Sequence, residues 1–474
     1  MPLNIDESYA VIVSRQPTLA FFDHPLLAFS LAQWSAQIFG AESNLIVRLP
    51  YVMLGTGTTW LVWSLTRRFS ARAALWAALL FAVAPYFCIA ANRFVGPDGP
   101  LNFFIMLAIW LVFPAVFDRE PDRPILRWVL GGAALGAAML SKYHALVFVL
   151  AALIALLVLP AGRQSFRTPG PWIGAMIAAF MQLPTLIWNA QNGWASFLFH
   201  TGRVGTQSGL VFDPAGLLQL VLGQMGFFWP VSWVFALLAI IAAFRQKASQ
   251  ERKAYAVMAT TLILVFYAVA LVGSQSPPHW SMPGLAIAMP LVGIWCTETG
   301  PRLRRYLRPL CWLGIYGVLL VLALATWHMR WGLPYMDHPI VAESELRWDT
   351  SDWNDLVPEL KARGIILGDD DYAYGLTYSR AGKIGYALGP DITVYVSPAD
   401  PRHLAHMRHP PIPRDVAGYA FEPARLSAAG RRTAQFEKVL DAVFRNVETL
   451  PPVIQTRGGT DSFAILVFRV SGPR

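Results

Sequence analysis

The sequence predicts a polytopic α-helical membrane protein of about ten transmembrane helices. A helix lying in the interface within the first external loop, and a small extracytoplasmic α/β domain at the C-terminus, complete the expected fold class. Three observations carry it. The 474 residues are 55% hydrophobic and only 14% charged, whereas about a quarter of a soluble globular chain is charged. Apolar runs of about 16–25 residues recur before position 330, each long enough to cross roughly 30 Å of hydrocarbon as a helix with its backbone bonded internally. Beyond residue 328 the composition turns polar and the periodicity changes.

The opening segment, "NIDESYAVIVSRQPTLAFFDHPLL" (4–27), is polar and acid-bearing. It has no basic leader followed by an apolar core, so it resembles neither a signal peptide nor an anchor. In "HPLLAFSLAQWSAQIFG" that follows, Leu27, Leu31, Trp34 and Ile38 share one helical face, and Ser30, Gln33 and Gln37 another. That pattern suits a helix in the membrane interface; a short re-entrant hairpin is the alternative. Ten apolar runs then follow, at 46–66, 73–92, 99–117, 127–141, 143–160, 171–189, 213–243, 254–273, 282–297 and 309–328. One set of connecting loops holds Arg67, Arg68, Arg72, Arg119, Arg123, Arg127, Arg163, Arg167, Arg245, Lys247, Arg252, Lys253, Arg302, Arg304, Arg305 and Arg308. The alternate set holds Arg93, Lys142 and Arg203. Sixteen against three makes the first set cytoplasmic by the positive-inside rule. Residues 1–45, the loops near 92–98, 190–212 and 274–281, and the chain beyond 328 then face outside.

Crossing the membrane would be far easier for the opening segment behind an upstream helix. The expectation is that Met1 lies inside a longer reading frame or that a first helix is missing; otherwise the first hairpin carries the segment across. The region 329–474 contains β-prone runs ("GIILG", "ITVYV", "FAILVFRV") among helical stretches ("DLVPELKARG", "TAQFEKVLDAVFRNV"). It shows neither a Gly-rich phosphate loop nor zinc-ligand spacing, and "DDDYAYG" (369–375) reads as an acidic turn, with a cation site as the alternative. The expected division is 1–45, 46–328 and 329–474.

The net charge of +9 does not indicate nucleic acid, because the basic residues sit in short loops between apolar runs. Cys88, Cys296 and Cys311 all fall in apolar runs, so no disulfide framework is expected. Polar residues instead gather in the external loops. Asp6, Glu7, Tyr9, Asp23 and His24 lie in the first; Arg93 precedes Asp98 in "RFVGPDGP". Lys142, Tyr143 and His144 form "SKYH", His200 and Arg203 lie in "FHTGRVG", and His279 follows "SQSPP". Carboxylates beside cations at a membrane surface suit chemistry on an anionic lipid-linked substrate: a carboxylate deprotonates a hydroxyl while a cation neutralises a phosphate leaving group. Structural roles compete with this reading, since Asp98 can cap a helix, Arg93 can snorkel and Lys142 can be a hairpin-tip charge. Mid-span ionisable residues, which proton-coupled carriers need, are missing from the runs.

The order of "DESYA" (6–10), "FFDHPLLAFSLAQWSAQIFG" (21–40), "VRLP" (47–50), "NRFVGPDGPLNFF" (92–104), "LSKYHALVF" (140–148), "FHTGRVG" (199–205) and "HWSMPG" (279–284) resembles the glycosyltransferase C superfamily. The nearest likeness is to its bacterial branch related to protein mannosyltransferases, lipid A aminoarabinose transferase and lipopolysaccharide-core galacturonosyltransferases. The resemblance covers about residues 1–330. It implies an enzyme of the bacterial inner membrane that moves one sugar, with inversion, from a polyprenyl-phosphate carrier to a lipid, lipopolysaccharide or protein acceptor on the periplasmic face. It also implies that Asp6 is the general base and Asp98 the second acidic position. Around them Glu7, Tyr9, His24, Arg93, Lys142, Tyr143, Arg203 and His279 would contact substrate. Where relatives carry a "KPPL"-type lysine, this chain has "DHPL", so Lys142 or Arg203 shares the phosphate with His24. Family members carry a helix before the "DE" motif. Some relatives bind a divalent metal and others do not; the ligands here would be Asp6, Glu7 and His24. The competing function is a transporter or flippase of a lipid-linked glycan, which inverted repeats would favour; none is evident.

Overall fold

The computed structural model describes residues 2–204, 211–245, 248–273, 276–299, 301–331, 353, 355–365, 367–368, 371–457 and 459–474. Local chemistry sets many helix starts. Ser70, Asp213 and Ser249 accept from the backbone N–H three residues on, and proline occupies the first turn at Pro124, Pro171, Pro214 and Pro230, where its missing N–H costs nothing. In chain order the first helices are α1 (Ile5–Ser14), α2 (Leu27–Phe39), α3 (Asn44–Arg67), α4 (Ala71–Val83), α5 (Asp98–Phe117), α6 (Pro124–Ser141), α7 (Ala145–Val158) and α8 (Pro160–Ser165). There follow α9 (Gly170–Phe180), α10 (Leu183–Gln191), α11 (Ala195–Val204), α12 (Pro214–Phe228), α13 (Pro230–Ala243), α14 (Gln250–Leu271), α15 (Met282–Glu298) and α16 (Pro301–Trp331). The C-terminal region adds α17 (Leu356–Ala362), α18 (Tyr378–Leu388) and α19 (Ala429–Asp441).

Among the described residues seven helical segments are long and apolar enough to cross a membrane, and α12 with α13 makes an eighth candidate bent by 107°. The protein is a multi-pass membrane protein. The run 213–243, expected as one span, is broken at Trp229, whose φ is +71°. Pro230 is the cause, since it lacks an N–H and drives the preceding residue out of the α region. The run 73–92 is interrupted likewise: α4 ends at Val83, and after Pro85 the chain makes a π-helical turn, Tyr86–Ala91. With α7, α4 is a shorter apolar helix rather than a full-length candidate.

Two compact units make up the chain. One comprises Met1–Thr18, Ala32–Val47 and Leu322–Arg474, the other Leu19–Leu31 and Arg48–Val321. In the second, the stretch Pro278–Glu298 is the most enclosed, with 89% of its apolar window buried. Small residues allow this enclosure: Gly293 meets the Ala73 carbonyl of α4, and Gly284 the Ala259 carbonyl of α14, at distances that a side chain would obstruct. Arg68 ties α3 to Asp118 and Glu251 at 2.6 and 2.8 Å. Along α2, Trp34, Ile38 and Phe39 are exposed while Ser30 and Ser35 are buried. A helix with its apolar stripe outward suits an apolar solvent.

In the first unit a five-stranded sheet runs β2-β1-β3-β5-β4, with β1 (Tyr372–Gly375), β2 (Thr393–Val396), β3 (Gly418–Ala424), β4 (Phe444–Arg457) and β5 (Thr460–Pro473). The first three pair in parallel, and β5 pairs antiparallel with both β3 and β4. "ITVYV" and "FAILVFRV" are strands as expected. The described residues of "GIILG" form no strand, the neighbouring "YAYG" taking that place. The helix expected to reach Val447 stops at Asp441, because Phe444–Val447 pairs with β5. Helix α1 packs on α18, where Gly382 lies against the Tyr9 backbone so closely that a Cβ would stand 2.7 Å from it. Arg15 secures this pairing through Glu42 at 2.6 Å and the Gly385 and Gly389 carbonyls.

Candidate functional site

Asp6 and Glu7 are adjacent in sequence but do different things. Asn4 caps α1 by accepting from the Glu7 N–H, and the Glu7 carboxylate accepts in return from the Asn4 N–H at 3.0 Å. This reciprocal capping box turns Glu7 inward, where it is buried. Asp6 is the exposed residue of α1. Tyr378 Oη donates to Asp6 Oδ1 at 3.4 Å, and the Tyr378 ring meets Tyr9 edge-on, with centroids 4.9 Å apart. Arg402 lies over the other part of this arrangement, its guanidinium carbon 3.5 Å from the Tyr378 ring centroid. Crowding by protein raises the Asp6 carboxyl above its ordinary value, against the pull of Arg402 and the Tyr378 hydroxyl. Surrounding protein is dense there although the side chain reaches solvent, and that water screens the rise.

In the second unit Asp98 opens α5 and Lys142 follows the end of α6. Lys142 Nζ donates to Asp98 Oδ1 at 2.7 Å, with side-chain exposures of 4% and 21%. The Tyr86 hydroxyl of the π-turn and His279 approach the same carboxylate. Asn102, one turn along α5, holds the Asp98 carbonyl through Nδ2 at 2.8 Å. Gly99 lets α5 begin against the Ala91 carbonyl, which a Cβ there would meet at 2.3 Å. Below His279, the buried Gln224 donates to Ser281 and accepts from Tyr267 and Trp233, fixing the 3₁₀ turn Pro278–Ser281.

A second cluster in that unit forms around the turn at Asp23-His24. Phe21 N–H donates to the His24 carbonyl, His200 Nε2 lies 2.9 Å from the Asp23 carbonyl, and Ser196 Oγ donates to the Phe21 carbonyl. Helix α11 thus holds the turn, with the His24 and His200 rings 6.3 Å apart and Tyr143 edge-on to His200 at 4.8 Å.

The residues expected at the site therefore form three groups. Asp6 and Tyr9 join Tyr378 and Arg402; Asp98, Lys142 and His279 join Tyr86; His24 and Tyr143 join His200. Arg93 follows the π-turn beside the Cys88 thiol. The Arg203 side chain, Asp369 and Asp370 lie outside the described residues. Among the described residues no group of three or more His, Cys, Asp or Glu could hold a metal ion. Asp6 and Glu7 do not present a joint ligand pair, because Glu7 is committed to the cap of α1, so no metal-dependent step is derived. Sequence reading missed Tyr86, Tyr378 and Arg402. The basic run "PRHLAHMRHPPIPR" (401–414) was a signal for the last.

Comparison with known proteins agrees with the resemblance read from the sequence. The model of the dolichyl-phosphate-mannose-protein mannosyltransferase family matches residues 23–188. A curated relative, the lipid A galacturonosyltransferase RgtD of Rhizobium johnstonii, is 22% identical over 292 residues, which is 61% of this chain and 60% of that protein. The chain thus matches about three fifths of that relative's length. The crystal structure of ArnT from Cupriavidus metallidurans bound to undecaprenyl phosphate shares the fold, with a TM-score of 0.63 at 15% identity over 99% of this chain and 95% of that one. ArnT in the apo state matches with the same TM-score and identity over 98% and 93%. The matched family model and the curated relative are both described as sugar transferases, and the ArnT structures share this chain's fold.

Proposed function

We propose that this protein is a membrane glycosyltransferase that moves a single sugar from a polyprenyl-phosphate donor to a glycolipid or lipopolysaccharide acceptor on the periplasmic face of a bacterial inner membrane. The observation that carries this reading is the Asp98–Lys142 pair with His279 and Tyr86. A nearly inaccessible ammonium at the ends of apolar helices is costly to maintain without an anionic function. Its partner class is supported by the likeness of fold to ArnT bound to undecaprenyl phosphate.

In the proposed reaction Asp6 takes the proton of the acceptor hydroxyl as that oxygen bonds to the anomeric carbon. The bond from that carbon to the phosphate oxygen breaks, and polyprenyl phosphate departs with the electron pair. Attack opposite the leaving group inverts the centre. Lys142, whose ammonium has three N–H donors and gives one to Asp98, neutralises the phosphate together with His279, while Asp98 holds Lys142 in place. His24, Tyr143 and Arg203 belong to the donor side, and Glu7 to the support of Asp6. The raised Asp6 carboxyl suits a base, because proton affinity grows with pKa.

The test uses the full chain in nanodiscs with undecaprenyl-phosphate-linked galacturonic acid and, separately, aminoarabinose, and lipid A as acceptor. Asp6→Asn should lower transfer by about 10²–10⁴ with membrane insertion intact. Near-parental turnover in that variant would remove Asp6 as the base. Failure of every donor, with uptake of lipid-linked glycan by liposomes instead, would remove the transferase reading.

A further inference from the structure

The polar C-terminal region does more than cover the sheet, and the clue is a strained arginine. Arg402 has φ +45°, a left-handed conformation that an L-residue other than Gly, Asn or Asp seldom adopts. Such strain persists only where surrounding contacts over-determine it, and it concentrates at functional positions. Three contacts hold Arg402: Nε pairs with Asp400 at 3.7 Å, the guanidinium sits 3.5 Å over the Tyr378 ring, and the next residue, His403, donates its N–H to Tyr9 Oη at 3.0 Å. Two of these anchors, Tyr378 and Tyr9, belong to α18 and α1, and Tyr378 is the residue whose hydroxyl reaches Asp6.

We propose that Arg402 and Tyr378 are positioning residues for the Asp6 carboxylate, with Arg402 fixing the phenol that donates to Asp6 and presenting a permanent positive charge beside it. This rests on the reading of Asp6 as general base. The geometry favours positioning, because Tyr378 contacts Asp6 and Arg402 in turn contacts Tyr378. The charged groups around Asp6 are Arg402 and Glu7, with the phenol of Tyr378; Lys383 of α18 is directed to the Leu3 carbonyl. The histidines of the same loop add no competing charge at neutral pH. Burial pushes His403 down to about 3 and lowers His406 and His409 as well. A cation beside a carboxylate favours its ionised form, so Arg402 offsets the crowding of Asp6 and keeps the base ready without an exposed lysine that would pair with it directly.

The experiment measures the protonation of Asp6 itself. The full chain in nanodiscs is modified with a water-soluble carbodiimide, which attacks protonated carboxyls, across a pH series, and the Asp6 peptide is quantified by mass spectrometry. Arg402→Gly should move the labelling midpoint upward by about one pH unit, while Arg402→Lys stays near the parent. Because glycine accepts φ +45° freely, Arg402→Gly should melt no lower than the parent. The acid limb of its transfer rate should move upward with the midpoint. Tyr378→Phe keeps the ring under Arg402 and removes the hydroxyl; it should shift the midpoint upward by less. An unchanged midpoint in Arg402→Gly and in Tyr378→Phe overturns the proposal, whatever the melting temperatures. A shifted midpoint together with parental turnover in Asp6→Asn supports the coupling and overturns the general-base reading instead.

Discussion

Asp98 and Asp6 are both acids beside a cation, but their surroundings differ in the feature that decides a carboxylate's use. Asp98 touches its cation directly, ammonium to carboxylate at 2.7 Å, inside an apolar bundle. Asp6 meets its cation at one remove: the Arg402 guanidinium rests on the aromatic ring whose hydroxyl reaches the acid. Breaking a direct, largely buried pair leaves an uncompensated charge. A carboxylate held by a phenol and a displaced cation stays ordered and still has a lone pair to offer. The contrast fits the roles proposed for the two acids, a clamp at Asp98 and a base at Asp6.

Four variants would break or sharpen that contrast. The largest effect belongs to Asp98→Ala, which strands the Lys142 ammonium and should cost about 3–5 kcal/mol of stability. The double variant Asp98→Leu with Lys142→Met should recover most of that stability in thermal melts while remaining inactive. If Asp98→Ala melts with the parent, Asp98 is not a clamp and the two acids must be reassigned. Next comes His279→Ala, expected to raise KM for the lipid-linked donor about tenfold, the loss of one charge-assisted contact, with little change in melting. A fall in kcat alone would place His279 elsewhere in the reaction.

The smallest effect has an informative sign. The Asp6 carboxyl is raised in the folded protein, so its contribution to stability is present below the ordinary carboxylate value and declines as pH rises through the raised one. Near neutral pH the ionised acid is therefore slightly destabilising, and Asp6→Asn should melt equal to or marginally above the parent there, the gain vanishing toward pH 4. A drop in melting temperature would make Asp6 a packing residue and dissolve its contrast with Asp98.

Apolar run length made most of the bundle legible, since a span is a local property of some twenty residues. Local rules also held the information that was missed within it: Pro230 after Trp229, and Pro85 before Tyr86, mark the breaks that hydropathy alone smooths over. The C-terminal sheet was legible in β5 ("FAILVFRV") but not in its central strand, "GYAFEPA" (418–424), where a proline, a glycine and a buried Glu422 obscure the pattern. That glutamate lies inside because Arg432 at 2.6 Å and Arg380 at 3.6 Å meet it there. Asp6, Asp98 and Lys142 were candidates from the sequence because loop position and charge single them out. Tyr378 and Arg402 were not, because their relevance comes from tertiary pairing with α1 across more than 370 residues, and no periodicity encodes it.

The pairing of α1 with α18 also sets a clock. A ribosome adding about 5–20 residues per second needs roughly 20–70 s between Asp6 and Tyr378, 372 positions apart. During that interval the nascent α1 has neither Gly382 to pack on nor Gly385 and Gly389 to receive Arg15. A ten-residue helix without partners is marginal in water. The acid therefore acquires its setting among the last events of synthesis, and chains released early carry an Asp6 with nothing to orient it. The fold thereby withholds its proposed base from incomplete products.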